Sequence, residues 1–292
     1  MVFPGISGDS TNYYCVNAER ACIANGYEMV VVNWRGMAGV PLKVSVFHFV
    51  NFVQSPNGYN GVDYSHIQEA IEYIYSEYCF DEDGNRTRRL AGLGISMGAG
   101  VLARYTADLG DKCKLDCCVS IGCHYDNKEA MKELRTNTYG AYDSIIAQGF
   151  TAWAIDYYRL FDSIAAKKYP ERVIGEAVAN LKLVTQAPLI WAKAAGMTLD
   201  QYEAKCNVTS ILHKIKIPFF FFSTRDDPFF GEKVIPIGHC HDNILLGVLK
   251  QGGHCCNIEG GLLPTGCWWT KPSMVFLDHF MKEATANDGI CN

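Results

Sequence analysis

The stretch RRLAGLGISMGAGVLARY, residues 88–105, changes character at its centre. Up to Ile95 it is a short apolar run, the pattern of a buried strand. From Met97 onward it is rich in Ala, Leu and Val, the pattern of a helix. Between the two, Gly94-Ile95-Ser96-Met97-Gly98 matches G-x-S-x-G. A serine on so sharp a strand-to-helix turn presents its hydroxyl at the end of a sheet, and small flanking residues let strand and helix pack closely. Ser96 is therefore a candidate nucleophile. Taken alone, the turn reads as well as a Gly-rich packing turn, or as the kind of turn found at phosphate and dinucleotide sites.

Working outward, strand and helix patterns alternate. A helix is expected from Ser10, with Tyr13, Val16 and Ala21 to Ile23 on its apolar face and Gly26 as its stop. EMVVVNW, residues 28–34, reads as a fully buried strand. Ser65-His66-Ile67-Gln68 fits a capping box opening a helix whose apolar face is Ile67, Ile71, Ile74 and Tyr78. LDCCVSIGC, residues 115–123, is the next strand. This order implies an α/β fold with a mostly parallel sheet. The alternation then stops for a helical stretch and resumes at Phe219–Phe222 and Ile244–Leu249. A last amphipathic helix uses Met274, Leu277, Phe280 and Met281. The expected organisation is a first core part over 1–124, a helical cap insertion over 125–209 and a second core part over 210–292.

A serine hydroxyl needs a base, and the base needs an acid to orient it. FFFFSTRDDPFF, residues 219–230, runs a buried strand into Asp226-Asp227-Pro228. NILLGVLKQGGHCCNIEG, residues 243–260, runs another into Gly252-Gly253-His254. By itself the first is an ordinary Asp-Pro turn. Serine, acid and histidine nevertheless follow in the chain order such a sheet requires, each at a strand end. The spacing assigns Ser96 as nucleophile, Asp227 as orienting acid and His254 as general base, with Asp226 the rival acid. The amide of Met97 is one donor for a developing oxyanion. Pro4-Gly5-Ile6 near the start of the chain would supply the other, from Ile6.

The chain has 292 residues, a net charge of −5, 49% hydrophobic residues and 13 cysteines. No basic run offers a nucleic-acid footprint, and no apolar run approaches the roughly 18 residues of a membrane span. Crowded cysteines (Cys113, Cys117, Cys118; Cys255, Cys256; Cys267) without a leader segment point to a reducing, intracellular setting. Asn207-Val208-Thr209 is then a chance sequon. Cys255-Cys256 with His254 lacks zinc-ligand spacing, and His239-Cys240-His241-Asp242 reads better as a solvated loop than as a metal site, so no metal or other cofactor is expected.

Together these elements resemble the α/β-hydrolase superfamily. The closer resemblance is to the abhydrolase-domain branch of YheT-like esterases and eukaryotic acylglycerol and phospholipid lipases. The matching stretches are PGISGDS (4–10), VVNWRGMAGVPL (31–42), GLGISMGAGVLARY (92–105), GMTLDQYEAKCNVTSILHKIKIP (196–218), RDDPF (225–229) and GGHCCNIEG (252–260). The resemblance implies an α/β-hydrolase fold acting on lipid-like esters. Trp153, Tyr157, Tyr158, Phe161 and Trp191 would cap the site and line an acyl pocket, although packing of cap on core is the simpler role for most of them. Two departures stand out. Pro4 replaces the histidine usual before the oxyanion-loop glycine, and the sheet lacks the family's first two strands, with Val2-Phe3 a stub of the third. An exposed sheet edge is therefore expected, which a protein partner would cover. That edge supports a second reading, a hydrolase-fold scaffold subunit with little turnover. Peripheral contact with a membrane surface is compatible with either.

Overall fold

The computed structural model describes residues 1–35, 37–40, 43–45, 52–54, 60–136, 140–239, 241–255 and 257–283. Its centre is a parallel sheet in the order β1 (Val2–Phe3), β4 (Ala91–Ile95), β5 (Cys117–Ile121), β6 (Phe219–Thr224) and β7 (Ile244–Leu249). Two short antiparallel pairs lie outside it: β2 (Lys43–Ser45) with β3 (Phe52–Gln54), and β8 (Ile258–Glu259) with β9 (Gly266–Cys267). Neither pair was expected from the sequence pattern.

The phenylalanine run of β6 shows how the sheet divides the core. Successive side chains of a strand point to opposite faces. Phe219 and Phe221 join one apolar cluster, with their rings stacked at 4.2 Å, and Phe220 and Phe222 join the other. The first cluster lies under α2 (Ser65–Tyr78) and α3 (Met97–Leu109). The second lies under α1 (Tyr13–Ala24) and α9 (Thr270–Asp278). Sheet strands buried on both faces in this way are continuous apolar runs rather than alternating ones.

Between β5 and β6 come α4 (Asn127–Thr136), α5 (Ala141–Lys168), α6 (Gly175–Ala179), α7 (Ala187–Ala194) and α8 (Leu199–Cys206). Tyr158, Phe161 and Trp191 are buried there, and Trp191 Nε1 donates to Tyr158 Oη at 2.8 Å. Their role is packing. The side chains of Trp153 and Tyr157 lie outside the described residues.

The structure corrects or refines the sequence reading at four places. First, residues 28–34 form no buried strand. They touch the sheet through one bridge, Val31 to Val2, with Val2 N–H on Val30 O at 2.7 Å and Val32 N–H on Val2 O at 2.9 Å. Val30 is 41% exposed and no described strand pairs beyond this segment, so among the described residues it is the sheet edge. Second, β1 is therefore interior: Val2 and Phe3 are buried between that edge and β4, and Leu93 N–H reaches Met1 O at 2.8 Å. Third, α1 starts at Tyr13 and buries Cys15, Asn17, Ala18 and Cys22, while Tyr13 and Ile23 face solvent. A helix laid closely over a sheet turns its small residues inward. Its stop at Gly26 is as expected, with φ 80°. Fourth, no capping box forms at Ser65. Asp63 Oδ1 accepts the Ser65 N–H at 2.9 Å instead. Ile67 and Ile71 are buried as expected, but Tyr78 is exposed.

Candidate active site

Ser96 joins β4 to α3 with φ 54° and ψ −116°, a backbone that costs a serine roughly 1–3 kcal/mol. Tight packing on both sides holds it there. A Cβ at Gly94 would fall 2.6 Å from the Cα of Ala99, and one at Gly98 would fall 2.1 Å from Phe3 O. Both glycines of the motif are thus required by close backbone approach. The Ser96 N–H donates to Ile121 O at 2.8 Å, which fastens the turn to the end of β5.

Two further strand ends converge on this serine. Ser96 Oγ lies 2.9 Å from His254 Nε2, and His254 Nδ1 lies 2.7 Å from Asp227 Oδ2. Asp227 is buried, and its other oxygen accepts the amides of Phe229 and Phe230 at 2.8 and 3.0 Å. These bonds fix the carboxylate's orientation before it meets the imidazole. The rings of Phe229 and Phe230 stand 4.6 and 5.2 Å from that of His254 and shield it from water. Asp226, the rival acid, does not face the imidazole. It accepts the amides of Gly252 and Gly253 at 3.1 and 3.0 Å and so tethers the histidine loop.

That loop is unusually handed. Gly252, Gly253, Cys255 and Asn257 have φ of 151°, 64°, 59° and 40°. Cys255 packs its Sγ 3.4 Å from His254 Nε2 and 3.5 Å from Ile121 O. Burial disfavours the imidazolium of His254. The Cys255 sulfur and the Asp227 carboxylate favour it more strongly, and the balance raises the His254 pKa well above the ordinary histidine value. Asp226 is lowered. Its partial burial works the other way, but the Gly253 and Gly252 amides outweigh it.

Met97 is the first residue of α3, where a backbone N–H has no partner within the helix. Gly5 lies against the serine: a Cβ there would be 3.0 Å from Ser96 Cβ. Ile6 follows on this same turn. The turn is secured by Trp34 Nε1 donating to Pro4 O at 3.0 Å and by Gly5 N–H donating to Tyr14 Oη at 3.3 Å.

Sequence reasoning missed the tether by Asp226, the supports from Trp34 and Tyr14, and His124. The last is a buried histidine just beyond β5 whose pKa burial lowers to about 4. Among the described residues, no group of three or more His, Cys, Asp and Glu is arranged to hold a metal ion. Cys240 and Cys256 lie outside them. No described helix is long and apolar enough to cross a membrane.

No family model matches the chain. Among curated proteins it is similar to Embryogenesis-associated protein EMB8 of Picea glauca, 24% identical over 288 residues covering 93% of this chain and 56% of that protein. It is also similar to Phospholipase ABHD3 of Homo sapiens, 22% identical over 293 residues covering 97% of this chain and 62% of that protein. The chain thus spans less than two thirds of the length of these relatives. Among solved structures it is similar to the Pyrococcus furiosus esterase PF2001, with a TM-score of 0.55 and 14% identity over 96% of this chain and 82% of that one. The chain has the α/β-hydrolase fold, and in sequence it resembles the abhydrolase-domain branch of that superfamily.

Proposed function

We propose that this chain is a serine hydrolase that cleaves carboxylic esters, with lipid-like acyl esters as substrates, through an acyl-enzyme. One observation carries the reading: the hydrogen-bonded line from Ser96 Oγ through His254 to Asp227, at 2.9 and 2.7 Å. His254 Nε2 takes the hydroxyl proton as Ser96 Oγ attacks the acyl carbonyl. Asp227 holds the Nδ1–H tautomer and stabilises the imidazolium that forms. The amides of Met97 and Ile6 receive the oxyanion. His254 then gives its proton to the leaving alcohol. Water, deprotonated by the same ring, releases the acid and restores Ser96. Apart from that water, side chains and backbone amides of the chain take every role in this reaction.

The lipid character of the substrate is supported by the printed name of the relative Phospholipase ABHD3. Peripheral contact with a lipid surface belongs to the same proposal. So does an intracellular, reducing setting, which accords with ten free cysteines among the described residues.

A second reading rests on the exposed edge at Val30: a scaffold subunit whose partner adds a strand there. A fluorophosphonate probe on purified protein separates the two. Labelling of the wild type that vanishes in Ser96→Ala is the expected result. Folded wild-type protein that takes no label overturns the hydrolase reading and leaves the scaffold.

A further inference from the structure

We propose that His124 is a positioning residue that holds the nucleophile turn at its working distance from His254. The proposal rests on the serine-hydrolase reading and adds a residue to its machinery.

The imidazole of His124 sits on the bare face of a glycine in α3. A Cβ at Gly100 would fall 1.9 Å from its Cε1, 2.4 Å from Nε2 and 2.6 Å from Nδ1. Gly100 belongs to the turn that starts α3, and its N–H points back to Ser96 O at 3.4 Å, beside that of Ala99 at 3.0 Å. The Ser96 backbone also acts on the His124 ring, favouring its charged form. One side of His124 thus bears on the helix turn that carries Ser96.

The other side bears on the acid and base. The ring centroid of Phe230 is 5.9 Å from that of His124, and Phe230 stands edge-on to His254 at 5.2 Å. The Phe230 amide is one of the two that orient Asp227. His124 is therefore a spacer between the element carrying Ser96 and the one carrying Asp227, in contact with both. A flat ring suits the place. It lies flat on the bare face of Gly100, in space that a Cβ there would fill. Burial, Arg104 on α3 and His254 across the site all disfavour a charge on it, whereas the Ser96 backbone favours one. His124 stays neutral and serves as a wedge, not a titrating acid.

A double-mutant cycle tests this, read on a soluble short-chain ester and by the rate of fluorophosphonate labelling. A misplacement near 1 Å costs on the order of 100-fold in rate. His124→Ala is therefore expected to lower kcat by roughly 10- to 100-fold with KM within about twofold. Gly100→Ala, which pushes the ring away, is expected to do the same in wild type and to add nothing in the His124→Ala background. His124→Asn and His124→Gln, which keep a flat polar group, recover part of kcat. If His124→Ala does not fold, the cycle is run on His124→Asn, whose smaller side chain leaves room at Gly100. The acid limb of kcat/KM keeps its midpoint and single ionisation in every variant.

An equal cost of Gly100→Ala in both backgrounds overturns the proposal. So does a rise in KM in place of the fall in kcat, or loss of an ionisation from the pH profile. Wild-type protein that takes no probe defeats the hydrolase reading itself. Labelling of His124→Ala and Gly100→Ala at the wild-type rate defeats this proposal alone.

Discussion

Asp226 and Asp227 are adjacent in sequence and grip the same loop at different points: Asp227 Oδ2 meets His254 Nδ1 at 2.7 Å, and Asp226 holds the Gly252 and Gly253 amides at 3.1 and 3.0 Å. Their removal should therefore fail in different ways. Asp227→Asn leaves the shape intact but offers the imidazole a group that no longer fixes its tautomer, and kcat falls by roughly 10³- to 10⁴-fold. Asp226→Ala loosens the loop and costs about 1 kcal/mol in stability, since the carboxylate is largely solvated. Its kcat falls by less than about tenfold. Steady-state kinetics and thermal unfolding of the two variants check the division.

The base must be neutral to take the serine proton. Because the folded protein raises the His254 pKa, the acid limb of kcat/KM has its midpoint above the ordinary histidine value of about 6.5. Asp227→Asn moves that midpoint down. The same interaction stabilises the fold below about pH 6.5, and that contribution is lost as the pH rises through the folded pKa. The stability gap between wild type and Asp227→Asn therefore narrows from pH 6 to pH 9, as denaturant titrations at the two pH values would register.

Ile6→Pro deletes one proposed oxyanion donor without adding bulk. Loss of one such donor costs about 10²- to 10³-fold in kcat. KM and the circular dichroism spectrum stay as in the wild type. Turnover within about threefold of the wild type would remove Ile6 from the mechanism and leave Met97 as the assigned donor.

Gly122, just past β5, has φ 62°, and a Cβ there would lie 2.4 Å from Cys255 Sγ and 3.3 Å from His254 Cε1. Gly122→Ala combines a left-handed backbone penalty with overpacking and costs about 2–4 kcal/mol. Adding Cys255→Ala relieves the overlap but not the backbone term, so about half of the loss returns. Urea denaturation of the single and double variants measures both parts.

Much of this architecture is legible in the chain because it rests on local necessity. The glycines at 94 and 98 are where backbone touches backbone, so their spacing around Ser96 is readable without any structure. Four phenylalanines in a row suit a strand buried on both faces, and β6 is one. The illegible features depend on what packs beside them. The inward face of α1 is Cys15, Ala18 and Cys22, chosen by the close approach of the sheet rather than by hydrophobic size. EMVVVNW has the composition of a buried strand, but the composition of a strand does not reveal whether it has a neighbour on both sides. His124 reads as an ordinary core histidine. The clue was Gly100, a third small residue on the same helix turn, whose partner no spacing rule identifies.

The handedness of the loop from Gly252 to Asn257 fixes its length. Four of its five described residues occupy backbone angles that favour glycine or a short polar side chain. Inserting or deleting one residue between Leu249 and Ile258 would shift most of these angles onto neighbours other than glycine, and would carry His254 away from Ser96. Variation among descendants of this sequence must then come by exchange of side chains here, and by growth or shortening only elsewhere. A directed-evolution library that samples loop lengths is best aimed at the cap.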